Sequence, residues 1–281
     1  MNPSDYLRRN RDVYNQMAAA GDPLCRVASD DELANPLKTV DGAGWLGKSI
    51  AGKRVLCLAA GGGRQSSLYA AAGADVTVVD ISGSMLELDR RAAAERGFSL
   101  RVFETTMEDL GMFGVGEFDI VIQPVSTCYV PSITKVYQQV ARVTSPRGIY
   151  VSQHKTPASL QSSLERNREG HYAIEHVYYR DSPEPVPVPA PRVTNRASKR
   201  LRETGAVEYL HRWEQIIGGM CHAGFVIEDL SEPLHAVPKS EHGSFGDRAC
   251  YIAPYVRIKA RRNGEVAASA NTSGLWTPQN F

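Results

Sequence analysis

The sequence predicts a doubly wound α/β fold. Three features carry that expectation. Short apolar runs alternate with helical stretches between residues 53 and 154. A glycine triplet, Gly61, Gly62 and Gly63, joins the first apolar run to the first helix of that series. Near the end, two strand-like runs follow one another with no helix between them, the mark of an antiparallel hairpin. Strands that alternate with helices over short turns require parallel neighbours joined by crossovers.

The elements follow in order. Residues 4–20, "SDYLRRNRDVYNQMAAA", make a helix capped by Ser4 or Asp5. Leu7, Val13 or Tyr14, and Met17 give it an apolar face, and Gly21 stops it. Residues 21–52, rich in Pro, Gly and Asp, read as an irregular approach. "KRVLCLA" (53–59) is apolar nearly throughout, as a strand covered on both faces must be. "RQSSLYAAAG" follows as a helix ending at Gly73, then the β-branched strand "ADVTVVD" (74–80). Residues 82–96 form a helix with Ser82 as cap and Gly97 as stop. "FSLRVFE" (98–104), "EFDIVIQP" (117–124) and "GIYVSQH" (148–154) are the third, fourth and fifth strands, the last two separated by an amphipathic helix over 132–144. From 155 to 208 the rhythm breaks. This stretch is polar and aromatic, with prolines at alternate positions from 183 to 191, which favour an extended chain and cannot sit in a central strand. It reads as an insertion. A helix is expected over 207–223, then the strands "GFVIEDLSEP" and "ACYIAPYVRIKAR" flanking a polar loop at about 233–248. The tail from 263 is polar and expected to be poorly ordered.

Bulk properties narrow the function. The 281 residues suffice for a sizeable core. The net charge of +1 gives no global field for nucleic acid or an anionic membrane. No apolar run nears the roughly 20 residues of a membrane helix, and "MNPSDYLRRNRD" lacks the apolar core of a secretory leader. Five scattered cysteines without a CxxC pair predict reduced thiols, a cytoplasmic setting and no metal site.

The glycine loop lies where ligands bind in open α/β sheets, at the carboxyl end of the first strand. Gly61 and Gly63 admit backbone angles closed to other residues and leave room for ligand atoms. The helix behind them aims its first N–H groups at the loop, which suits a carboxylate or phosphate. Asp80 ends the second strand, where a carboxylate accepts both hydroxyls of a ribose. Alone, the loop is equally a tight turn; the strand, loop, helix and strand-ending Asp together point to a nucleoside. No GK[ST] follows, which excludes a phosphate-binding P-loop, and Ser66 stands where G-x-G-x-x-G has its last glycine.

At these residues the chain resembles the class I S-adenosylmethionine (SAM)-dependent methyltransferases, in their small-molecule branch. The resemblance covers residues 50–155 closely and 207–260 in pattern. The family's first motif, hydrophobic-Asp-hydrophobic-Gly-x-Gly-x-Gly, falls on "VLCLAAGGG": Gly61 and Gly63 match, Cys57 replaces the acid and Ala59 the first glycine. Asp80 in "VTVVDIS" matches the acid that holds the ribose. "TTMEDLGMF" (105–113) resembles the third motif, with Thr106 in place of its usual Asp. The resemblance implies a Rossmann-like, seven-stranded, mostly parallel sheet with an antiparallel last strand and a lid insertion. It implies SAM as cofactor, held by Ala59, Ala60, Gly61, Gly63, Gln65, Asp80, Ile81, Met85, Met107, Glu108 and Gln123, with Tyr14 capping it from the N-terminal helix. The missing acid at Cys57 removes a group that orients the loop, for which Gln65 or Arg64 are the candidate replacements.

Methyl transfer is an in-line displacement in which positioning supplies on the order of 7–11 kcal/mol, so no loud catalytic signature is required. A protonated nucleophile needs a base, worth roughly 10²–10⁴-fold. His154, after the fifth strand, is the first candidate, because imidazole titrates near neutrality; the alternative is that it bonds a loop carbonyl. Gln123, Ser126, Thr127, Cys128 and Tyr129 follow the fourth strand, with Cys128 read as an apolar filler. The chain thus divides into an N-terminal cap (1–52), a SAM-binding core (53–154), a lid (155–208), a C-terminal helix and hairpin (209–262) and a tail (263–281). The expected activity is methyl transfer to a small-molecule acceptor, with no nucleic-acid or membrane partner. The alternatives are an NAD-dependent oxidoreductase, which shares the glycine loop and ribose acid, and a non-catalytic SAM-binding protein.

Overall fold

A computed structural model describes residues 3–180, 184–187 and 202–263. The alternate prolines beyond 187, Pro183, and the tail after Asn263 lie outside the described residues. Helix α1 (Pro3–Ala19) is followed by α2 (Asp30–Ala34) and α3 (Pro36–Val40). Then come β1 (Arg54–Leu58), α4 (Arg64–Ala71), β2 (Asp75–Asp80), α5 (Gly83–Arg96), β3 (Leu100–Glu104), β4 (Phe118–Gln123), a 3₁₀ turn Thr127–Tyr129, α6 (Ile133–Val143) and β5 (Thr144–Lys155). The remainder comprises α7 (Pro157–Gln161), β6 (Pro185–Val186), β7 (Glu208–Tyr209), a π-turn Glu214–Gly218 running into α8 (Gly219–His222), β8 (Phe225–Ser231), α9 (Phe245–Ala249) and β9 (Tyr255–Arg262).

Seven strands form one sheet in the order β3-β2-β1-β4-β5-β9-β8, and β6 pairs with β7 in a separate ribbon. Strands β1 to β5 are parallel, and β9 runs antiparallel between β5 and β8. Order reverses between β1 and β4, which opens a crevice at their carboxyl ends. The period of two explains why β1 is apolar throughout. Leu56 and Leu58 enter the core on one face with α6, while Val55 and Cys57 enter the core on the other with Tyr69 of α4. Among the described residues, no helix is long and apolar enough to cross a membrane.

Three expectations are corrected. The approach segment holds two short helices. Ser29 and Glu32 form a reciprocal cap on α2, and Pro36 opens α3 with its backbone angle already set. The helix expected over 207–223 begins at Glu214, not Val207. Val207 to Leu210 are all buried, which no surface helix permits, and the Asn10 amide bonds both backbone groups of Val207 (2.7 and 3.1 Å). Strand β5 starts directly after α6, absorbing "SPRG" as an irregularity with Arg147 at φ 63°.

The described parts of the insertion are tied to the rest of the chain. Lys155 at the end of β5 pairs with Glu203 and Glu208, and Arg166 pairs with Asp247 of α9. Buried Arg248 donates to the carbonyls of Ser159, Ser162 and Ser163 around α7. Helix α1 lies across the carboxyl ends of the strands and is tied at three points. Tyr6 bonds Glu108, Asn10 bonds Tyr129 and Val207, and Asn15 accepts from the Ser82 hydroxyl (2.7 Å).

Candidate functional site

The loop after β1 turns through Ala59 at φ 49°, Gly62 at φ 119° and Gly63 at φ 82°, which caps α4. A Cβ on Gly63 would meet the Leu88 carbonyl oxygen at 2.9 Å, and one on Gly61 would meet Met85 Cβ at 2.8 Å. The glycines therefore let the loop lie against α5 as well as against a ligand. Gly63→Ala is expected to lower folding stability by about 2–4 kcal/mol, from a left-handed residue plus an overpacked contact; urea unfolding measures it.

The first N–H groups of this helix end hold one of the chain's own carboxylates. Asp89, on α5, is fully buried and accepts from Gly62 N (2.9 Å), Gly63 N (3.1 Å) and Ser66 Oγ (2.5 Å). Burial, against those three bonds, pushes its carboxyl up to about 6. Cys57 is buried next to this charge, which adds to burial in raising the thiol. The loop thus has an acid to orient it, reached from α5 rather than from β1. Gln65 and Arg64 do not take that part: Arg64 pairs with Glu32 at 2.7 Å. Asp89 was visible in principle, as a charge inside the buried helical stripe Met85, Leu86, Ala92, Ala93.

Asp80 ends β2 with one oxygen on Gly61 N (3.0 Å) and the other on Ser82 N (2.9 Å). Burial raises its pKa. Each oxygen keeps a lone pair for a further donor. Asp80 lines a cavity of about 290 Å³ at the crevice. Of the residues expected to bind a cofactor, Tyr14, Ala59, Ala60, Gly61, Gln65, Asp80, Ile81, Met85 and Met107 line this cavity. Three do not. Gly63 is turned into the α4–α5 contact, and Glu108 accepts the Tyr6 hydroxyl. Gln123 is buried, bonded to Ser126 (2.9 Å) and Tyr150 (2.5 Å), and borders a neighbouring cavity of about 220 Å³.

His154 also lies away from the cavity. It is 1% exposed, with Nδ1 on the Thr127 hydroxyl and Nε2 on the Ser152 hydroxyl, each at 2.8 Å. Burial, with His211 nearby, pulls its pKa down to about 3. Strand β5 continues through Lys155, so the ring points into the sheet's packing and supports the Thr127–Tyr129 turn. His211 braces the same turn through the carbonyls of Thr127 and Val130.

Asn10, Tyr129, Val130 and Glu203 line the far wall of the cavity. Sequence reasoning picked out Tyr129 after the fourth strand and missed the other three. Asn10 sits one helical turn from both Tyr6 and Tyr14 on α1, a polar residue in an apolar stripe. Tyr129 donates a hydrogen bond to Glu203 Oε2 at 2.6 Å, and the Tyr14 ring packs edge-on against the Tyr129 ring, with centroids 5.7 Å apart. Although burial works against it, Lys155 keeps Glu203 below the usual carboxylate range. Nothing local in "KRLRETG" marks Glu203, because its partners are distant in the chain.

Comparison with known proteins adds to this geometry. Residues 56–152 match the family model described as a methyltransferase domain. A Bacillus subtilis protein, the uncharacterized methyltransferase YbaJ, is 33% identical over 183 residues, covering 65% of this chain and 69% of that protein. Among solved structures, a SAM-dependent methyltransferase from Mesorhizobium loti superposes with a TM-score of 0.61 at 18% identity, over 82% of this chain and all of that one. The 1,6-didemethyltoxoflavin-N1-methyltransferase of Burkholderia thailandensis, solved with its acceptor and S-adenosylhomocysteine, superposes with a TM-score of 0.57 at 15% identity, over 94% and 91% of the two chains.

Proposed function

Because the chain belongs to the class I SAM-dependent methyltransferases, we propose that it methylates a small molecule held in the cavity beneath α1. One observation supports this acceptor class above others. The cavity joins the carboxyl ends of β1, β2 and β4 to a wall built from α1 and the insertion, and that wall is hydrogen-bonded shut at Asn10. The Burkholderia enzyme of similar fold is a methyltransferase of 1,6-didemethyltoxoflavin.

The residues present fit the cofactor. Asp80 retains lone pairs for a ribose diol, Gly61 leaves bare backbone, and Gln65 Oε1 is buried without a partner. Ile81, Met85 and Met107 offer apolar surface for a purine. Gly62 and Gly63 do not contribute their N–H groups, since Asp89 holds them. When bound, SAM supplies an electrophilic methyl on a sulfonium sulfur. The chain orients the reactants and, through α1 and the insertion, excludes water, which strengthens every polar contact inside. The nicotinamide alternative gives way to the family assignment.

Calorimetric titration with SAM and S-adenosylhomocysteine tests the reading, with affinities expected in the micromolar range. Transfer of labelled methyl to a small-molecule panel, but not to oligonucleotides, completes it. Absence of binding by either nucleoside would falsify the cofactor assignment at this cavity.

A further inference from the structure

Most polar side chains on the cavity wall are committed elsewhere. The Asn10 amide serves Tyr129 and Val207, and Ser126 bonds Pro124 O while accepting from Gln123. Arg64 is held by Glu32. Glu203 differs. Its Oε2 collects the Tyr129 hydroxyl (2.6 Å) and Lys155 Nζ (3.2 Å), while among the described residues no side chain bonds its Oε1. The side chain is 11% exposed and borders the cavity. Lys155 and Arg202 both pair with Glu208, so the four charges balance and fix the carboxylate in place.

The surroundings select the acceptor. Leu7, Val125 and Val130 make this part of the wall apolar. Among the described residues, the single cation that borders the cavity is Arg64, already paired. An anionic acceptor would face Asp80 and Glu203 with nothing to neutralise it. An amine would be held by Glu203 as an ammonium, which has no lone pair to react. A neutral hydroxyl suffers neither problem.

We propose that Glu203 is the proton acceptor in catalysis and that the substrate is a neutral hydroxyl compound, a phenol or alcohol on an apolar body. This deepens the small-molecule methyltransferase reading and rests on it. The acceptor oxygen uses a lone pair to bond the methyl carbon as the carbon–sulfur bond breaks with its pair onto sulfur. The hydroxyl proton passes to Glu203 Oε1. Hydroxyl, sulfonium and carboxylate become methyl ether, thioether and carboxylic acid. An oxygen undergoing alkylation turns strongly acidic, so a carboxylate kept charged by Lys155 is base enough.

The test uses the full chain saturated with S-adenosylhomocysteine and ligand-observed NMR titration with phenol and, separately, benzoate. Phenol is expected to bind in the tens of millimolar or tighter, as suits a fragment of its size, and benzoate not at all. Glu203→Gln is expected to weaken phenol at least fivefold while leaving S-adenosylhomocysteine affinity unchanged. With labelled SAM and phenol, turnover falls roughly 10²–10⁴-fold and the acid limb of its pH profile disappears. If Glu203→Gln does not fold, Tyr129→Phe removes only the hydroxyl on Oε2 and is expected to weaken phenol severalfold. Benzoate binding as well as phenol, phenol binding indifferent to both variants, or no phenol contact overturns the proposal. Failure of the wild type to bind S-adenosylhomocysteine instead strikes the methyltransferase reading of the cavity.

Discussion

Asp89→Ala is expected to lower folding stability by about 3–5 kcal/mol and S-adenosylhomocysteine affinity at least tenfold. The carboxylate is the acceptor for three buried donors, Gly62 N, Gly63 N and Ser66 Oγ. Alanine leaves all three without a partner, at about 1–3 kcal/mol each before the loop relaxes. Relaxation moves the same backbone that borders the cavity at Gly61 and Gly62, which is why affinity falls with stability. Urea unfolding and calorimetry measure the two losses; wild-type values in both would show that the loop keeps its shape unaided. A pH series adds a signed check. Burial raises this carboxyl from 3.8 to about 6 in the folded chain. Folded and unfolded forms are both protonated below about pH 4, and the contribution is then fully present. As pH rises through 6 the group must ionise while buried, and roughly 3 kcal/mol is lost. Relative to Asp89→Asn, the wild type should therefore lose stability between pH 4 and 7, and a flat difference would contradict the assignment.

The second large effect is expected at Asp80. Asp80→Ala should weaken S-adenosylhomocysteine by about 1–3 kcal/mol, or roughly 5- to 150-fold, through lost charge-assisted bonds to the ribose. Asp80 also holds Gly61 N and Ser82 N, so a fall in melting temperature should accompany the change. Asp80→Asn keeps one acceptor oxygen and should fall between wild type and alanine in both measurements. Affinity equal to wild type in the alanine variant would place the sugar elsewhere in the crevice.

The central sheet was legible in the sequence because burial on both faces leaves one pattern available to β1, β2 and β4. The antiparallel pairing of β8 with β9 was legible from two strand-like runs in succession, although the connection between them holds the short helix α9, which the sequence reading took for a polar loop. Other features carried a signal that composition obscures. Asp89 and Asn10 each occupy a buried helical stripe, where a polar residue implies partners waiting inside. His154 misled because a histidine near a strand's carboxyl end invites a catalytic role. Alternation within β5, extended by one residue to Lys155, turns the ring toward Thr127 and Ser152 instead. Glu203 had no local signal. Its meaning depends on Tyr129 and Lys155, which the chain brings together only when the insertion folds back over the sheet.

The Asn10 bridge has a consequence during synthesis. Its two farthest hydrogen bonds span 197 residues. At typical ribosomal speeds of roughly 5–20 residues per second, α1 waits about 10–40 s after emerging before its last fastening point exists. The five parallel strands are therefore translated while the crevice is still unsealed. The seal over the crevice closes only after β1 to β6 have been translated, with β8 and β9 still to come.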